Sequence, residues 1–104
     1  MGTRSAIGYR LPNRQIRAVY CHYDGYPQHQ LPILESSYNS LQAVKLLIAP
    51  GYLRCLGETP EYLGGNDQAE VVNNALMHWR NNDCEHLYVF DENKDAWEHY
   101  DLRD

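Results

Sequence analysis

Apolar residues alternate with polar ones near the start of the chain, which is the pattern of β-strands. Residues 5–11 carry Ile7 and Tyr9 at alternate positions, and residues 16–23 carry a longer apolar and aromatic run. The segment 12–15 between them reads Pro-Asn-Arg-Gln, and proline and asparagine favour a reverse turn. The pattern therefore predicts an N-terminal β-hairpin.

The second strand of this hairpin has apolar residues on both faces. Alternation places Ala18 and Tyr20 on one side and Val19 and Cys21 on the other. We therefore expect the strand to lie centrally in its sheet, or to have helices on one face and another subunit on the other. Because neighbouring side chains on a strand diverge, Cys21 and His22 should not share one site unless the strand breaks.

The middle of the chain shows helical spacing instead. The apolar positions between Leu41 and Ile48 fall on one stripe of a helix that extends to about residue 49. Asn39 or Ser40 suits the cap at its start, and Pro50 ends it. We therefore predict one amphipathic helix here, with a single face against a core.

The segments on either side of this helix are less regular. Residues 28–38 form a short helical or irregular apolar patch, in which Pro32 suits a first helical turn. Residues 52–57 suggest a short return turn. Residues 57–66 are rich in glycine and polar residues, so we expect a loop there that is the most mobile segment of the chain.

Another helix is predicted over residues 67–80. Asp67 and Glu70 have the spacing of a capping box at its start. Its apolar stripe, the clearest helical periodicity in the chain, consists of Val72, Ala75, Leu76 and Trp79.

A C-terminal hairpin completes the pattern and sets the fold class. Residues 86–91 and 96–100 are rich in aromatic and β-branched residues, with a turn at 92–95 between them. Hairpins at both ends with two to three helices between them predict an α+β fold with an antiparallel sheet, in the order β-β-α-α-β-β. With 104 residues, we expect residues 1–104 to form a single domain.

Charge and composition narrow the function classes. The formal net charge is −5, with four arginines and no acid in residues 1–23, but eight acids against two cations from Asp83 onward. Blocks of opposite sign can hold the two ends of a chain together, or one subunit to another. The acidic balance argues against direct nucleic-acid binding, although an acidic surface could compete with nucleic acid for a protein partner.

The cysteines and the hydropathy indicate an intracellular setting. Cys21, Cys55 and Cys84 are widely spaced and form no CxxC pair, so we expect reduced thiols rather than disulfides or a zinc ribbon. Residues 1–5 lack the apolar stretch of a signal peptide, and the longest apolar run is too short to span a bilayer. We therefore expect a cytoplasmic protein with no membrane partner.

The densest chemistry lies in residues 19–29, which contain a thiol, two imidazoles, a carboxylate and three phenols. A nucleophilic Cys21 would need His29 brought back beside it by the turn at Gly25. No second catalytic signature supports that interpretation, and most free cysteines are small buried hydrophobes. We therefore predict no catalytic residue.

A metal site in the same segment would need His22, Asp24 and His29 to converge. Their spacing matches no established ligand pattern, and an Asp-Gly pair is typical of a turn. We therefore predict no metal and no cofactor.

The third interpretation of this segment is recognition. Tyrosines that alternate with polar groups are typical of binding surfaces, although the same rings could fill a junction between sheet and helices. Arg4 and Arg17 could supply contacts to anions. The candidate binding residues are Arg4, Tyr20, Cys21, His22, Tyr23, Asp24, Tyr26 and His29.

Three strings resemble a family of small phage and prophage proteins to which no activity is assigned. They are residues 2–7 (Gly-Thr-Arg-Ser-Ala-Ile), residues 20–27 (Tyr-Cys-His-Tyr-Asp-Gly-Tyr-Pro) and residues 44–49 (Val-Lys-Leu-Leu-Ile-Ala). Similar members read Tyr-Cys-His-Trp-Asp-Gly-Tyr after the hairpin, so Tyr23 stands where they have tryptophan. The resemblance implies a phage origin and expression in the cytoplasm of a bacterial host.

Together these features predict a small phage or prophage accessory protein that acts by binding. We expect its partner to be a host protein, and its action to be inhibition of that protein or of a bacterial defence complex. A homo-oligomer is the second association that we expect. The alternative is a small enzyme or nucleotide-binding protein with a pocket at residues 21–29.

Overall fold

The computed structural model describes residues 2–103. The signal-peptide prediction rested on residues 1–5, and Met1 lies outside the described residues. Within this range the chain forms an α+β fold, which confirms the predicted class. No helix in residues 2–103 is long and apolar enough to cross a bilayer. The strands are β1 (Ser5–Arg10), β2 (Ile16–Tyr23), β3 (Leu53–Leu56), β4 (Pro60–Tyr62), β5 (Glu70–Val72), β6 (His86–Asp91) and β7 (Ala96–Asp101), and the helices are α1 (Pro27–Ser37), α2 (Leu41–Ile48) and α3 (Ala75–Asn81).

The strands form one mixed sheet in the order β4-β3-β2-β1-β6-β7, and β5 pairs with the first part of β2. The hairpins β1–β2 and β6–β7 are antiparallel, as predicted. However, β1 pairs with β6 in parallel, and β2 pairs with β3 in parallel. The prediction of an antiparallel sheet is therefore wrong for these two pairings, because the helical crossovers bring the chain back in the same direction.

The N-terminal hairpin closes at the predicted turn. The Leu11 amide donates to the Gln15 carbonyl at 2.8 Å. Arg14 takes a left-handed φ of 70° between them, which completes the tight reversal. Strand pairing then runs from Arg10 opposite Ile16 to Ser5 opposite Cys21.

Helices cover both faces of the sheet. α1 and α2 pack on the face that carries Ile7, Val19 and Tyr88. α3 packs on the opposite face, against Ala18 and Leu87. β2 has β1 on one side and β3 and β5 on the other, so its central position explains why both of its faces are apolar.

Residues 52–62 differ from the prediction. β3 occupies the segment expected to be a return turn, and β4 lies within residues 57–66, which were expected to be a loop. The β2 residues Cys21 and Tyr23 pair with Leu53 and Cys55, and β4 then adds to β3. These short strands form because β2 offers an open edge, which local composition does not reveal.

The start of the last helix also differs from the prediction. Residues 70–72 form β5 against β2 rather than a first helical turn, so the predicted capping box at Asp67 and Glu70 is wrong. Instead Asn74 caps α3, since its Oδ1 accepts from the Met77 amide at 3.3 Å. Ala75 and Trp79 are buried as the predicted stripe requires, whereas Leu76 is exposed.

The two ends of the chain are joined by charge as well as by strand pairing. Arg10 Nη2 lies 2.7 Å from Glu98 Oε1, and Arg10 Nε lies 3.8 Å from Asp91 Oδ2. These partly exposed pairs are each worth about 0–1 kcal/mol. The opposite charge blocks seen in the sequence therefore meet, at this position, within one chain.

Candidate functional site

The candidate segment comprises the end of β2, a turn and the start of α1. Cys21 belongs to the core beneath α1 and α2, whereas Tyr20 packs against the core beneath α3. His22 follows Tyr20, because its Nδ1 lies 2.7 Å from the Tyr20 hydroxyl. The predicted divergence of Cys21 and His22 is confirmed, and the segment divides into a buried and a more exposed part.

The buried part is a hydrogen-bonded chain beneath α1. Ser5 Oγ donates to Gln30 Oε1 at 2.7 Å, and Gln30 Nε2 donates to Cys21 Sγ at 3.4 Å. All three side chains are fully buried. Burial raises the pKa of the Cys21 thiol to about 11, so the thiol stays protonated at neutral pH. This environment suits a structural cysteine and opposes a nucleophilic one.

The turn after β2 is fixed by close packing. Asp24 takes a left-handed φ of 58°. The buried Gly25 donates its amide to the Thr3 carbonyl at 2.8 Å, and its carbonyl accepts from the Tyr88 hydroxyl at 2.6 Å. A Cβ at Gly25 would lie 2.5 Å from Ser5 Oγ, so only glycine fits without movement. The predicted turn at Asp24–Gly25 is therefore confirmed.

Two rings and a cation line the α3 side of the segment. The Tyr20 hydroxyl interacts with His22 Nδ1 and with the Arg4 side chain. Burial raises the pKa of Tyr20, and the nearby Arg4 charge opposes that rise. The His22 ring packs edge-on against Tyr23 with centroids 4.4 Å apart. Arg4, Tyr20, His22 and Tyr23 therefore form one connected group, which brings together four of the eight candidate binding residues.

The turn also presents two tyrosines to solvent. Tyr23 is 39% exposed and Tyr26 is 40% exposed, with the exposed Asp24 between them in the chain. The Arg54 guanidinium carbon lies 5.9 Å from the centroid of the Tyr23 ring. We call Tyr23, Asp24, Tyr26 and Arg54 the aromatic corner.

His29 is engaged with β3 rather than left open. Its Nε2 lies 2.8 Å from the Leu56 carbonyl oxygen, and its ring lies 5.7 Å from that of Tyr26, centroid to centroid. Among residues 2–103, no group of three or more histidine, cysteine or acidic side chains is placed to hold a metal ion. The segment therefore offers aromatic and hydrogen-bonding contacts.

Sequence reasoning missed the residues that hold the segment in place. Glutamine is usually exposed, so nothing in the pattern predicted that Gln30 would be buried beside Cys21. Ser5 and Tyr88 were assigned only to strands. Tyr88 could be suspected from its type alone, since a buried tyrosine hydroxyl usually has a hydrogen-bond partner.

A cavity beside Tyr20 was also missed. The Tyr20 ring contacts that of Tyr52, with centroids 5.7 Å apart, and Tyr52 in turn lies 6.3 Å from Trp79. The cavity has a volume of about 300 Å³. It is lined by Tyr20, Tyr52, Leu63, Asp67, Trp79 and Asn82.

Comparisons of the chain with protein-family models, with curated proteins and with solved structures find no match. The resemblance to small phage and prophage proteins therefore stays a prediction from the motifs themselves.

Proposed function

We propose that this chain is a phage or prophage accessory protein that acts in the cytoplasm of a bacterial host by binding a host protein. Its action would be inhibition of that protein or of a bacterial defence complex. The observation that supports this proposal is the aromatic corner, in which Tyr23 and Tyr26 are each about 40% exposed on a tightly held turn.

Tyrosine and arginine are the residue types that most often dominate binding energy at protein interfaces. The corner combines both with Asp24, and Arg54 lies over the Tyr23 ring. The turn beneath is held by hydrogen bonds from Gly25 to Thr3 and from Tyr88 to Gly25. A surface on such a fixed turn loses little conformational freedom on binding, which favours affinity.

The test is capture of host proteins by the immobilised chain. We expect a host protein to be retained by the wild type and by Leu46→Ala, which alters a side chain that is 67% exposed on α2. We expect its loss with the double variant Tyr23→Ala and Tyr26→Ala. Truncating two central interface tyrosines should weaken binding by about 2–4 kcal/mol, or roughly 30-fold or more.

Two outcomes would contradict the proposal. One is that the wild type retains no more host protein than the bare support does. The other is that the double variant retains the same protein as strongly as Leu46→Ala does, which would place the interface elsewhere. Circular dichroism of each variant establishes that the fold is intact.

The aromatic corner could also pack on a second copy of the chain. Light scattering of the wild type and of Tyr23→Ala separates this association from binding to a host protein. A dimer mass that falls to the monomer mass in the variant would assign the corner to self-association. If the wild type and Tyr23→Ala both have the monomer mass, the aromatic corner has no role in self-association.

The alternative of a small enzyme with its pocket at residues 21–29 has less support. The Cys21 thiol is buried and has a raised pKa. Each candidate histidine has a hydrogen-bonding partner close by, Tyr20 for His22 and the Leu56 carbonyl for His29. The Cys21 thiol and the two imidazoles therefore each have a structural environment that requires no catalytic role.

A further inference from the structure

A cavity of about 440 Å³ lies on the α2 side of the sheet, away from the aromatic corner. This volume falls in the range of small-molecule sites, about 300–1,000 Å³. Its lining includes the β1 and β2 residues Tyr9 and Arg17, the α2 residues Lys45 and Ile48, Gln68 from the segment before β5, and Val71 of β5.

Two cations converge on the buried tyrosine in this cavity. Arg17 Nη1 donates to the Tyr9 hydroxyl at 3.1 Å, and Lys45 Nζ lies 5.7 Å from the centroid of the same ring. Tyr9 is only 3% exposed, whereas Arg17 and Lys45 are both exposed, so both charges are accessible from solvent. The lining residues include no carboxylate.

These cations differ from the ion-paired cations of the chain. Arg10 and Lys94 lie against Glu98, and Arg103 lies against Asp101. Among residues 2–103, no ion pair joins an acid to Arg17 or Lys45. In a chain of net charge −5, two such cations on one concave surface indicate a place for an anion from outside.

The end of α2 does not oppose an anion as strongly as a bare helix C-terminus would. The Leu47 carbonyl accepts from the Tyr62 hydroxyl at 2.5 Å, and the Ile48 carbonyl accepts from the Gly51 amide at 3.1 Å. Since these carbonyls are hydrogen-bonded, less of the negative end of the helix dipole is directed into the cavity.

A neighbouring cavity shares Tyr9 and Lys45 but has a different charge balance. Its volume is about 480 Å³, and its lining adds Arg10 and Arg14 together with the acids Asp91 and Glu92. The two carboxylates make that side less suitable for an anion. The Arg17 side of Lys45 is therefore the better position for a negative group.

We propose that the cavity between Arg17 and Lys45 binds a phosphorylated small molecule. Its phosphate lies between the two cations, because a guanidinium offers paired donors to phosphate oxygens and an ammonium adds charge. Its uncharged part lies against Ile48 and Val71, and the Gln68 amide supplies a hydrogen bond. This inference does not depend on the aromatic corner or on a host protein.

The test is isothermal titration calorimetry at low salt with AMP, inorganic phosphate and adenosine as probes. We expect AMP to bind more tightly than inorganic phosphate, and adenosine to bind at least about tenfold more weakly than AMP. Arg17→Gln and Lys45→Gln should each weaken AMP binding at least about tenfold, the effect of losing a charge-assisted hydrogen bond. The matched control is Arg54→Gln, which removes an exposed cation at the aromatic corner and should leave AMP binding unchanged.

Several results would overturn the inference. They are no binding of AMP at millimolar concentration, equal binding of adenosine and AMP, or an equal loss of AMP binding in Arg54→Gln and Arg17→Gln. The last result would mean that AMP binding depends on the overall charge of the protein and not on the two cations of this cavity. Arg17→Gln loses a hydrogen bond to Tyr9, which can destabilise the fold. In that case Lys45→Gln tests the inference, because Lys45 is exposed and its contact with Tyr9 is not a hydrogen bond.

Discussion

The hydroxyl group of Tyr88 on β6 donates a 2.6 Å hydrogen bond to the carbonyl of Gly25, in the turn that follows β2. The two residues are 63 positions apart, and both are buried. This bond ties the turn that carries the aromatic corner to the C-terminal hairpin. The position of the corner therefore depends on a strand far away in the sequence.

Removal of that hydroxyl should be destabilising. Tyr88→Phe leaves the buried Gly25 carbonyl without this donor, so we expect the free energy of unfolding to fall by about 1–3 kcal/mol. Urea denaturation followed by circular dichroism measures the change. Tyr26→Phe is the control, because Tyr26 is exposed, and it should change the free energy of unfolding by less than about 0.5 kcal/mol. Equal effects in the two variants would contradict the role given to Tyr88.

A methyl group at Gly25 should also be destabilising. Gly25→Ala would place Cβ 2.6 Å from Ser5 Cβ and 2.8 Å from the Thr3 carbonyl oxygen. We expect a loss of about 1–3 kcal/mol in the free energy of unfolding from overpacking. The matched control is Gly65→Ala, whose Cβ has its nearest neighbour at 4.0 Å, and thermal unfolding should barely change in that variant. A tolerated Gly25→Ala would show that the turn can shift.

Cysteine labelling should be slowest at the buried thiols. Burial raises the pKa of Cys21 to about 11 and that of Cys84 to about 12. Cys55 is partly exposed, and its hydrogen bond to Glu61 at 2.8 Å raises its pKa to about 11. With iodoacetamide at neutral pH, we expect mass spectrometry to show Cys55 labelled first.

Glu61→Gln is the matching variant for this experiment. It removes the carboxylate that raises the pKa of Cys55, so more thiolate forms at neutral pH, although each thiolate is less nucleophilic. We expect about tenfold faster labelling of Cys55 and no change at Cys21. Labelling of native Cys21 ahead of Cys55 would instead favour the small-enzyme alternative.

Stability should fall as the pH drops from about 7 to 5. His86 Nδ1 lies 2.9 Å from His99 Nε2, and burial lowers the pKa of both histidines, with the neighbouring His99 charge further lowering that of His86. A histidine whose pKa is lowered on folding binds more protons when unfolded. Its contribution is therefore present above the unfolded pKa of about 6.5 and is lost as the pH falls through the lower folded value.

The urea midpoint at several pH values measures this effect. His99→Gln should reduce the slope between pH 7 and 5 by at least about half, because His99 no longer titrates and His86 loses the neighbouring charge that lowers its pKa. Arg103 lowers the pKa of Asp101 through a hydrogen bond, so that carboxylate titrates below about pH 4, outside this range. A slope unchanged in His99→Gln would exclude the histidine pair as its source.

The sequence predicted those parts of the fold that depend on neighbours along the chain. Both hairpins and the helix capped by Ser40 were found, because turn residues, alternation and the cap lie within a few positions of one another. The parallel pairing of β1 with β6 was missed, since nothing local marks two strands so far apart as partners. Residues 70–72 read as a helix start but became β5 because the edge of β2 was open.

The features of the candidate site that depend on neighbours along the chain were likewise predicted, and those that depend on distant packing were not. The turn at Asp24–Gly25 and the divergence of Cys21 from His22 follow from glycine chemistry and strand alternation. The burial of Ser5 and Gln30 beside Cys21 does not, because it depends on how α1 settles on the sheet. The cavity between Arg17 and Lys45 likewise joins β2 to α2, which no local pattern specifies.

The parallel pairing of β1 with β6 has a consequence for synthesis on the ribosome. β1 is synthesised before β6, and its partner from His86 onward is added roughly 4–16 s later at 5–20 residues per second. Until then β1 has one unpaired edge, which is the kind of edge that templates association with other chains. During that interval the unpaired edge of β1 is therefore open to association with other chains.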